Sequence, residues 1–390
     1  MKELKELIRR NLKQYTMFIL MLFIVMIFQI TTKGVLLVPQ NFSNLVLQNA
    51  YVVVLSVGMM ICIITGGNVD LSVGSVAAFI GAICGILIID KGINPFIVIA
   101  ICVVISLLIG AWQGFWIAYF KVPSFIATLS GMLVFRGLTY YLLNGKTFIQ
   151  YPPEFSYLTT GFLPNYFDGE KKFHLTTMFI GVIISIIYIL LELRKYSRKK
   201  SLGVQAESIK YLFAKLILVV AVITWSAYTL ASHKGMPMVL IPVAFIVLVY
   251  NFYMKNTVGG RHVYALGGNE KAARLSGINV KRTLFLTYVN MAFLSCIAGL
   301  IFTARLNAAS PKAGDGFELD AIAAYYIGGA SSSGGIGSIV GALIGALVMG
   351  ILNNGMSIMG FQMDIQMVIK GLVLLFAVVI DLIQRNKAKV

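Results

Sequence analysis

The sequence predicts an all-α polytopic membrane protein with one transmembrane domain over residues 1–390. Hydrophobic residues make up 58% of the chain and charged residues only 12%, whereas a soluble domain carries about 25% charged residues. The mean hydropathy is +0.86, and the apolar residues lie in long runs. A helix needs about 20 mostly apolar residues to cross a bilayer. These runs therefore predict membrane-spanning helices rather than a large soluble core.

The apolar runs predict about 12 transmembrane helices. The predicted spans are 15–32, 46–65, 71–89, 95–119, 124–143, 175–193, 211–231, 236–254, 283–303, 319–330, 338–353 and 364–383. The run at 319–330 is the shortest of them. The first run follows a basic segment, as the apolar part of a secretory signal peptide does, but no small-residue cleavage site comes after it. We therefore interpret it as an uncleaved first helix.

The distribution of Lys and Arg residues predicts the orientation of the chain. Twelve crossings place both termini on one side, which collects 22 of the 32 basic residues, against eight on the other side. Since cytoplasmic loops carry an excess of Lys and Arg, both termini are predicted to be cytoplasmic. The loop at 144–174 is then extracytoplasmic, whereas the basic loop at 194–210 and the loop at 255–282 are cytoplasmic. The net charge of +17 has the same origin, so no nucleic-acid partner is expected.

Glycine-rich segments interrupt the predicted membrane region at two places, Gly66-Gly67 and Gly328 to Gly337. Hydrocarbon cannot satisfy the backbone groups that such breaks free, so breaks occur where protein or a watery cavity surrounds them. Paired breaks in the two halves of a chain point to a transport path.

Polar residues near the apolar runs are candidates for lining such a path. A charge at the bilayer centre costs about 2.5–3.5 kcal/mol on insertion scales, so intramembrane carboxylates need a reason. Asp70 and Asp320 either line a watery path or lie at the interface as helix caps, and the sequence favours neither. A neutral, hydroxyl-rich solute needs amides and hydroxyls, although each candidate could equally serve packing. The candidates of this kind are Asn68, Ser72, Ser75, Asn353, Asn354 and Gln366.

The sequence lacks the motifs of an ATPase or a common enzyme. There is no G-x-x-x-x-G-K-[ST] phosphate-binding loop, and no zinc spacing among the four cysteines and three histidines. We therefore expect no catalytic residues, no metal site and no cofactor on this chain. If ATP drives the protein, ATP and Mg²⁺ bind to another chain.

The cytoplasmic loop at 255–282 contains a capped helix of about two turns. Asn269 is predicted to cap its start, Glu270 lies in its first turn, and Gly277 is suited to end it in the left-handed conformation. A helix this short is marginal by itself, so a partner surface would stabilise it. The alternative is a solvated loop with a fortuitous turn.

Several segments together resemble the permease subunits of bacterial ABC importers for monosaccharides, the ribose, galactose and xylose type. The resemblance covers most of the chain and rests on residues 70–75, 125–129, 136–137, 267–279, 317–324 and 352–355. It implies a bacterial plasma (inner) membrane protein that forms a homodimer, contacts a cytoplasmic ABC ATPase, and receives its monosaccharide from an extracytoplasmic binding protein.

The resemblance also implies that residues 267–279 contain the helix that couples the permease to the ATPase. The residues assigned to this coupling are Gly267, Gly268, Asn269, Glu270, Ala272, Ala273, Arg274 and Gly277. Many importers read E-A-A-x-x-x-G here. In this chain Glu270 comes one residue early, with Lys271 between it and the alanines, which leaves the role of Glu270 open.

The chain departs from short members of the family in length, because we predict three spans between the outer loop and the coupling loop where one is expected. Ten plus two extra helices resemble the longer xylose or multiple-sugar type, which points to xylose or a related aldose. An ATPase-independent sugar transporter or facilitator is the alternative class. Nucleosides, furanosyl signalling compounds and branched-chain amino acids are the alternative solutes.

The outer loops at 144–174 and 304–318 are expected to dock the binding protein through complementary charge. The residues assigned to this surface are Glu154, Asp168, Glu170, Lys171, Arg305 and Asp315.

Overall fold

The computed structural model describes residues 2–167, 173–203 and 208–389, and this part of the chain is mostly helical. The helices are α1 (Lys2–Thr31), α2 (Pro39–Ile64), α3 (Val73–Cys84), α4 (Pro95–Ala118), α5 (Ser124–Leu143), α6 (Pro153–Thr160), α7 (Leu175–Ser201), α8 (Ile209–Ala231), α9 (Leu240–Asn256), α10 (Val258–Gly268), α11 (Glu270–Leu275), α12 (Val280–Leu306), α13 (Phe317–Ile327), α14 (Ile339–Ile358) and α15 (Met363–Lys389). A 3₁₀ turn at Val35–Leu37 and a π-helical segment at Gly85–Asp90 complete the helical elements, and β1 (Phe148–Ile149) pairs antiparallel with β2 (Ala308–Ala309).

Eight of the described helices are long and apolar enough to cross a membrane, and the bent pair of α9 and α10 gives a ninth candidate. The eight are α2, α3 with its π-helical continuation, α4, α5, α7, α8, α12 and α14. This makes the chain a multi-pass membrane protein. A helix also lies at every predicted span, although the count of twelve crossings stays a prediction.

Helix α13 departs from the expectation of a full crossing at 319–330. It has 11 residues, which extend about 16 Å at 1.5 Å per residue, whereas the hydrocarbon core is about 30 Å thick. The chain leaves the helix at Gly328 and resumes it at Ile339 in α14. Helix α13 therefore crosses only about half of the bilayer by itself.

The predicted loops also contain more regular structure than expected. Helix α7 continues to Ser201, so about half of the predicted cytoplasmic loop at 194–210 is helical. The outer loop holds β1 and α6. Runs of polar residues lower the hydropathy there without preventing helix formation.

The core of the bundle is built around α2, which packs against α12, α13 and α14. Buried residues make up 83% of its most apolar window, against 22% in α7 and in α8. Val54, Leu55 and Val57 of α2 are completely buried. The peripheral helices expose apolar side chains because lipid is the solvent there.

Helices α7 and α8 form a hairpin at the periphery, which corresponds to the two extra predicted spans. Glu192 of α7 and Lys215 of α8 form an ion pair between the two helices. Trp225 of α8 stacks edge-on against Phe42 of α2, with the ring centroids 5.3 Å apart. The hairpin thus attaches to the core through a small contact.

The two glycine-rich breaks lie against each other. The first runs from Thr65 to Ser72, between α2 and α3, and the second connects α13 and α14. The amide of Gly335 donates a hydrogen bond to the carbonyl of Ile64, with N and O 2.9 Å apart. Each break therefore supplies a protein partner for backbone that would otherwise lack one.

The close packing of α13 against α14 predicts that an alanine at Gly345 destabilises the protein, whereas an alanine at Gly371 does not. A Cβ added at Gly345 of α14 would lie 1.8 Å from the carbonyl oxygen of Ala324 in α13, whereas one added at Gly371 of α15 meets nothing within 4 Å. We expect Gly345→Ala to destabilise the protein by about 1–3 kcal/mol, because the two backbones must separate. Thermal unfolding of the purified protein in detergent measures the loss.

Gly371→Ala is the matched control, because it adds the same methyl group to an exposed helix. Its melting temperature should stay equal to that of the parent protein or rise slightly, since alanine favours helix more than glycine does. Equal melting temperatures for both variants would contradict the close approach of α13 to α14.

Candidate functional site

The segment after α9 forms the capped helix that the sequence predicts. Asn269 is the N-cap residue of α11, and its Oδ1 accepts a hydrogen bond from the amide of Ala272 at 3.0 Å. After the last turn Gly277 adopts φ = +83°. The amide of Gly277 donates to the carbonyl of Arg274 at 3.0 Å, and the amide of Ile278 donates to the carbonyl of Ala273 at 3.1 Å. This pair of bonds is a Schellman motif, which accounts for the glycine.

The surface of α11 has few contacts with the rest of the chain. Leu275 is 89% exposed, whereas Ala273 is buried against the bundle. Glu270 and Arg274 form an exposed ion pair at 3.3 Å, so Glu270 interacts within its own helix. The described part of the chain therefore leaves the apolar side chain of Leu275 uncovered.

Helix α10 connects α11 to both glycine-rich breaks. A Cβ at Gly267 would lie 1.6 Å from the carbonyl oxygen of Ile64 at the end of α2, whereas Gly268 leaves open space. The hydroxyl of Tyr264 donates to the carbonyl of Gly337 at 2.9 Å. A displacement of α11 would therefore act directly on the segments that join α2 to α3 and α13 to α14.

Asp70 lies in a closed polar network at the first break. Its side chain is 1% exposed, and its Oδ1 accepts from the amide and the hydroxyl of Ser72 at 2.8 and 2.6 Å. The side chain of Gln113 in α4 donates to the Ser72 hydroxyl at 2.7 Å. In this conformation Asp70 fixes the turn before α3, and Gln113 is a member of the site that sequence reasoning missed.

Asp320 lies in a second polar cluster, between α13, α14 and α15. The Nζ of Lys370 is 3.0 Å from its Oδ1 and 3.2 Å from its Oδ2. The side chain of Asn353 donates to Oδ2 at 3.3 Å. Asp320 is 2% exposed. The sequence placed Lys370 inside a span without assigning it a partner, and the structure pairs the two intramembrane charges.

Asn354 lies in a third cluster, apart from Asn353. Asn41 and Asn354 exchange hydrogen bonds at 2.8 and 3.2 Å, and Gln48 accepts from Asn354 at 3.3 Å. These contacts join α14 to α2.

The remaining path candidates make local contacts. Asn68 donates to the carbonyl of Thr65, and Gln366 donates to the carbonyl of Phe361. The hydroxyl of Ser75 is buried and has no partner among the described residues. The candidates therefore occupy several separate places, and the described part of one chain does not bring them together into one channel.

Three of the six predicted docking residues lie in the described part of the chain. Asp315 is paired with Arg136 of α5 at 2.8 Å, Glu154 is exposed, and Arg305 is half-buried. Asp168, Glu170 and Lys171 lie outside the described residues.

Arg136 also donates to the carbonyls of Ala313 and Pro311 at 2.6 and 3.3 Å. This guanidinium therefore holds the segment between β2 and α13. The contact could not be predicted from local sequence, because 175 residues separate Arg136 from Pro311.

A multi-pass helical bundle with two glycine-rich breaks that contact each other and a short projecting helix is the architecture expected of a membrane permease. Comparison with known proteins agrees, because the profile of one permease family matches residues 41–378. The chain belongs to this family, whose description is the permease component of the branched-chain amino acid transport system.

The most similar relatives include transport permeases for sugars. The chain is 38% identical to the xylose transport system permease protein of Escherichia coli, over 95% of this chain and 92% of the relative. It is 37% identical to the protein of the same name from Haemophilus influenzae, over 97% and 98%. The ribose import permease protein of Escherichia coli is 34% identical, over 87% and 85%. These relatives are named as permeases rather than as enzymes. No solved structure matches the chain.

The pairing of Asp320 with Lys370 predicts that a variant lacking only Lys370 is less stable than a variant lacking both charges. Lys370→Met leaves the buried carboxylate with the neutral side chains of Asn353 and Tyr51 as its partners among the described residues, and breaking a buried ion pair costs about 3–5 kcal/mol. The double variant Asp320→Asn, Lys370→Met leaves no uncompensated charge, so it should be more stable than Lys370→Met. Thermal unfolding of the parent protein, Asp320→Asn, Lys370→Met and the double variant in detergent gives the coupling free energy.

Lys91→Met serves as the control, because Lys91 and Asp90 form an exposed pair at 3.6 Å. Its loss should be below about 1 kcal/mol, as for other surface ion pairs. Additive losses for the two variants of the buried pair would contradict their coupling.

Proposed function

We propose that the chain is the transmembrane permease subunit of an ATP-binding-cassette importer that translocates a monosaccharide, xylose or a related aldose. The observation that carries this proposal is the 38% identity to a xylose transport system permease over 95% of this chain and 92% of the relative. Similarity over almost the whole of both chains includes the loops as well as the spans. The related ribose import permease supports a sugar solute more broadly.

The proposed location is the bacterial inner membrane, with twelve crossings and both termini in the cytoplasm. The excess of Lys and Arg on one side supports this orientation. The basic end of α7, with Arg198, Lys199 and Lys200, then lies on the same side as α11.

We propose that α11 contacts the partner ATPase, on which ATP and Mg²⁺ bind. The exposed Leu275 supports this role, and so do the contacts of α10 with both breaks. A movement of the ATPase would pass through α10 to Ile64 and Gly337, at the ends of the segments that join the core helices. The residues 267–270, 272–274 and 277 all belong to this unit.

The sugar is proposed to cross between two copies of the chain. Two features support this choice. The path candidates do not converge within one chain, and the pairing of Asp320 with Lys370 neutralises the strongest charges near Asn353. A neutral sugar binds through hydrogen bonds to amides and hydroxyls, and a path for it needs no unpaired charge.

An extracytoplasmic binding protein is proposed to deliver the sugar to the outer loops. Glu154 and Asp315 are exposed there, and Arg305 is half-buried. Because Arg136 pairs with Asp315, this acidic group contributes less free charge than Glu154 does. Asp168, Glu170 and Lys171 remain part of the proposed docking surface.

Leu275→Glu is the variant that tests coupling, because it places a charge at the most exposed apolar position of α11. We expect the uptake of radiolabelled xylose by cells with the ATPase and the binding protein to fall at least tenfold. Membrane abundance of the permease should stay normal, since Leu275 is 89% exposed and packs against little.

Leu202→Glu is the matched control, because Leu202 is 67% exposed at the end of α7, outside α11. It should leave uptake unchanged. Equal uptake by both variants would contradict the role of α11. Xylose uptake that persists when the ATPase is deleted would instead identify a facilitator, and transport of leucine or a nucleoside in place of sugars would leave the importer class but change the solute.

A further inference from the structure

A crevice lies between α9 and α12 and is lined by residues of both helices. It measures about 820 Å³, within the range of about 300–1,000 Å³ that is usual for ligand sites. Both helices pack on α2. The space between them is therefore a lateral opening in the bundle, and its floor includes the buried Ile61 and Ile246.

The rim of the crevice opens towards the bilayer rather than towards water. Phe245, Val249 and Leu286 line it and are 66%, 43% and 50% exposed, as expected for side chains in contact with lipid. Tyr250 of α9 and Asn290 of α12 are hydrogen-bonded across it. This bond holds the two walls in place, so the crevice is a built site rather than a gap between loose helices.

The lining changes from apolar to polar along the crevice. Near Pro242 and Ile297 it is apolar, and it continues there into a second, smaller and apolar cavity that shares these two residues. At the other end, beside the coupling loop, it contains His262, Asn279 and Arg282. Polar groups at one end and apolar side chains along the rest match a molecule with a polar head and a long apolar tail.

The charge at the polar end selects an anionic head. No carboxylate belongs to the described lining, and Arg282 has no ion-pair partner within the described ranges. Lys281, the preceding residue, points elsewhere, because its Nζ lies 5.9 Å from the ring centroid of Tyr119. Arginine recognises phosphate through two parallel hydrogen bonds, and a basic group near the membrane surface attracts anionic lipid.

We propose that an anionic phospholipid of the leaflet on the coupling-loop side occupies this crevice, with its phosphate at Arg282 and one acyl chain between α9 and α12. The head then lies beside Gly277 and Asn279, which also line the crevice. The lipid would support the connection between α11 and α12 from the bilayer. The site shares Gly277 with the unit proposed to contact the ATPase, and its lining contains none of the residues proposed for the sugar path.

The test measures lipid retention by the full chain in mild detergent. Purified protein is mixed with equal amounts of phosphatidylglycerol and phosphatidylcholine, and bound lipids are counted by native mass spectrometry. We expect preferential retention of phosphatidylglycerol. Arg282→Gln should lower its occupancy about fivefold, the loss expected for one basic contact with an anionic headgroup. Lys281→Gln removes the same charge one residue away and should change nothing.

A second pair of variants tests the acyl-chain end without changing charge. Val249→Trp fills the crevice and should displace the lipid, whereas Leu248→Trp adds the same ring to the 68% exposed neighbouring position and should not. Melting temperatures establish that all four variants are folded. Equal retention of the two lipids, or no effect of Arg282→Gln, would overturn the proposal. So would a change from dimer to monomer in Val249→Trp with lipid retention unaltered, because the crevice would then be an interface between copies.

Discussion

The whole arrangement depends on how backbone groups are satisfied where helices break inside the bilayer. Hydrocarbon offers no hydrogen-bond partner, so a break must find one within the protein. Here the break after α2 and the break after α13 serve each other, through the bond from Gly335 to Ile64. The close fit of Gly267 against the same carbonyl brings α10 into this contact. Helix α11 is thereby connected, through α10, to the place where the two breaks meet.

Buried charged groups follow the same constraint as buried backbone groups, because each needs a partner within the protein. Asp320 is paired with Lys370 across two helices, and Asp70 is enclosed by Ser72 and, through it, by Gln113. The two carboxylates therefore differ in kind. One belongs to an ion pair between helices, and the other fixes a turn within one stretch of chain.

Much of this could be predicted from local sequence. The long apolar runs predicted the membrane helices. Asn269 and Gly277 predicted the ends of α11, because capping depends on neighbouring residues. The pairing of Asp320 with Lys370 could not be predicted, since 50 residues separate them and helix packing alone brings them together. Helix α2 begins at Pro39 rather than at residue 46, because Asn41 lowers the hydropathy of the first turns but is hydrogen-bonded to Asn354 inside the bundle.

The short pairing of β1 with β2 has a mechanical consequence. Two residues after α5 are bonded to two residues after α12, and Asn307 also accepts from the amide of Tyr151 at 2.8 Å. Arg136 adds a tie from α5 to the segment before α13. These contacts hold the C-terminal ends of α5 and α12 and the N-terminal end of α13 together on one side of the bundle. The loop after α5 and the loop after α12 therefore form one connected surface, to which two segments far apart in the sequence contribute.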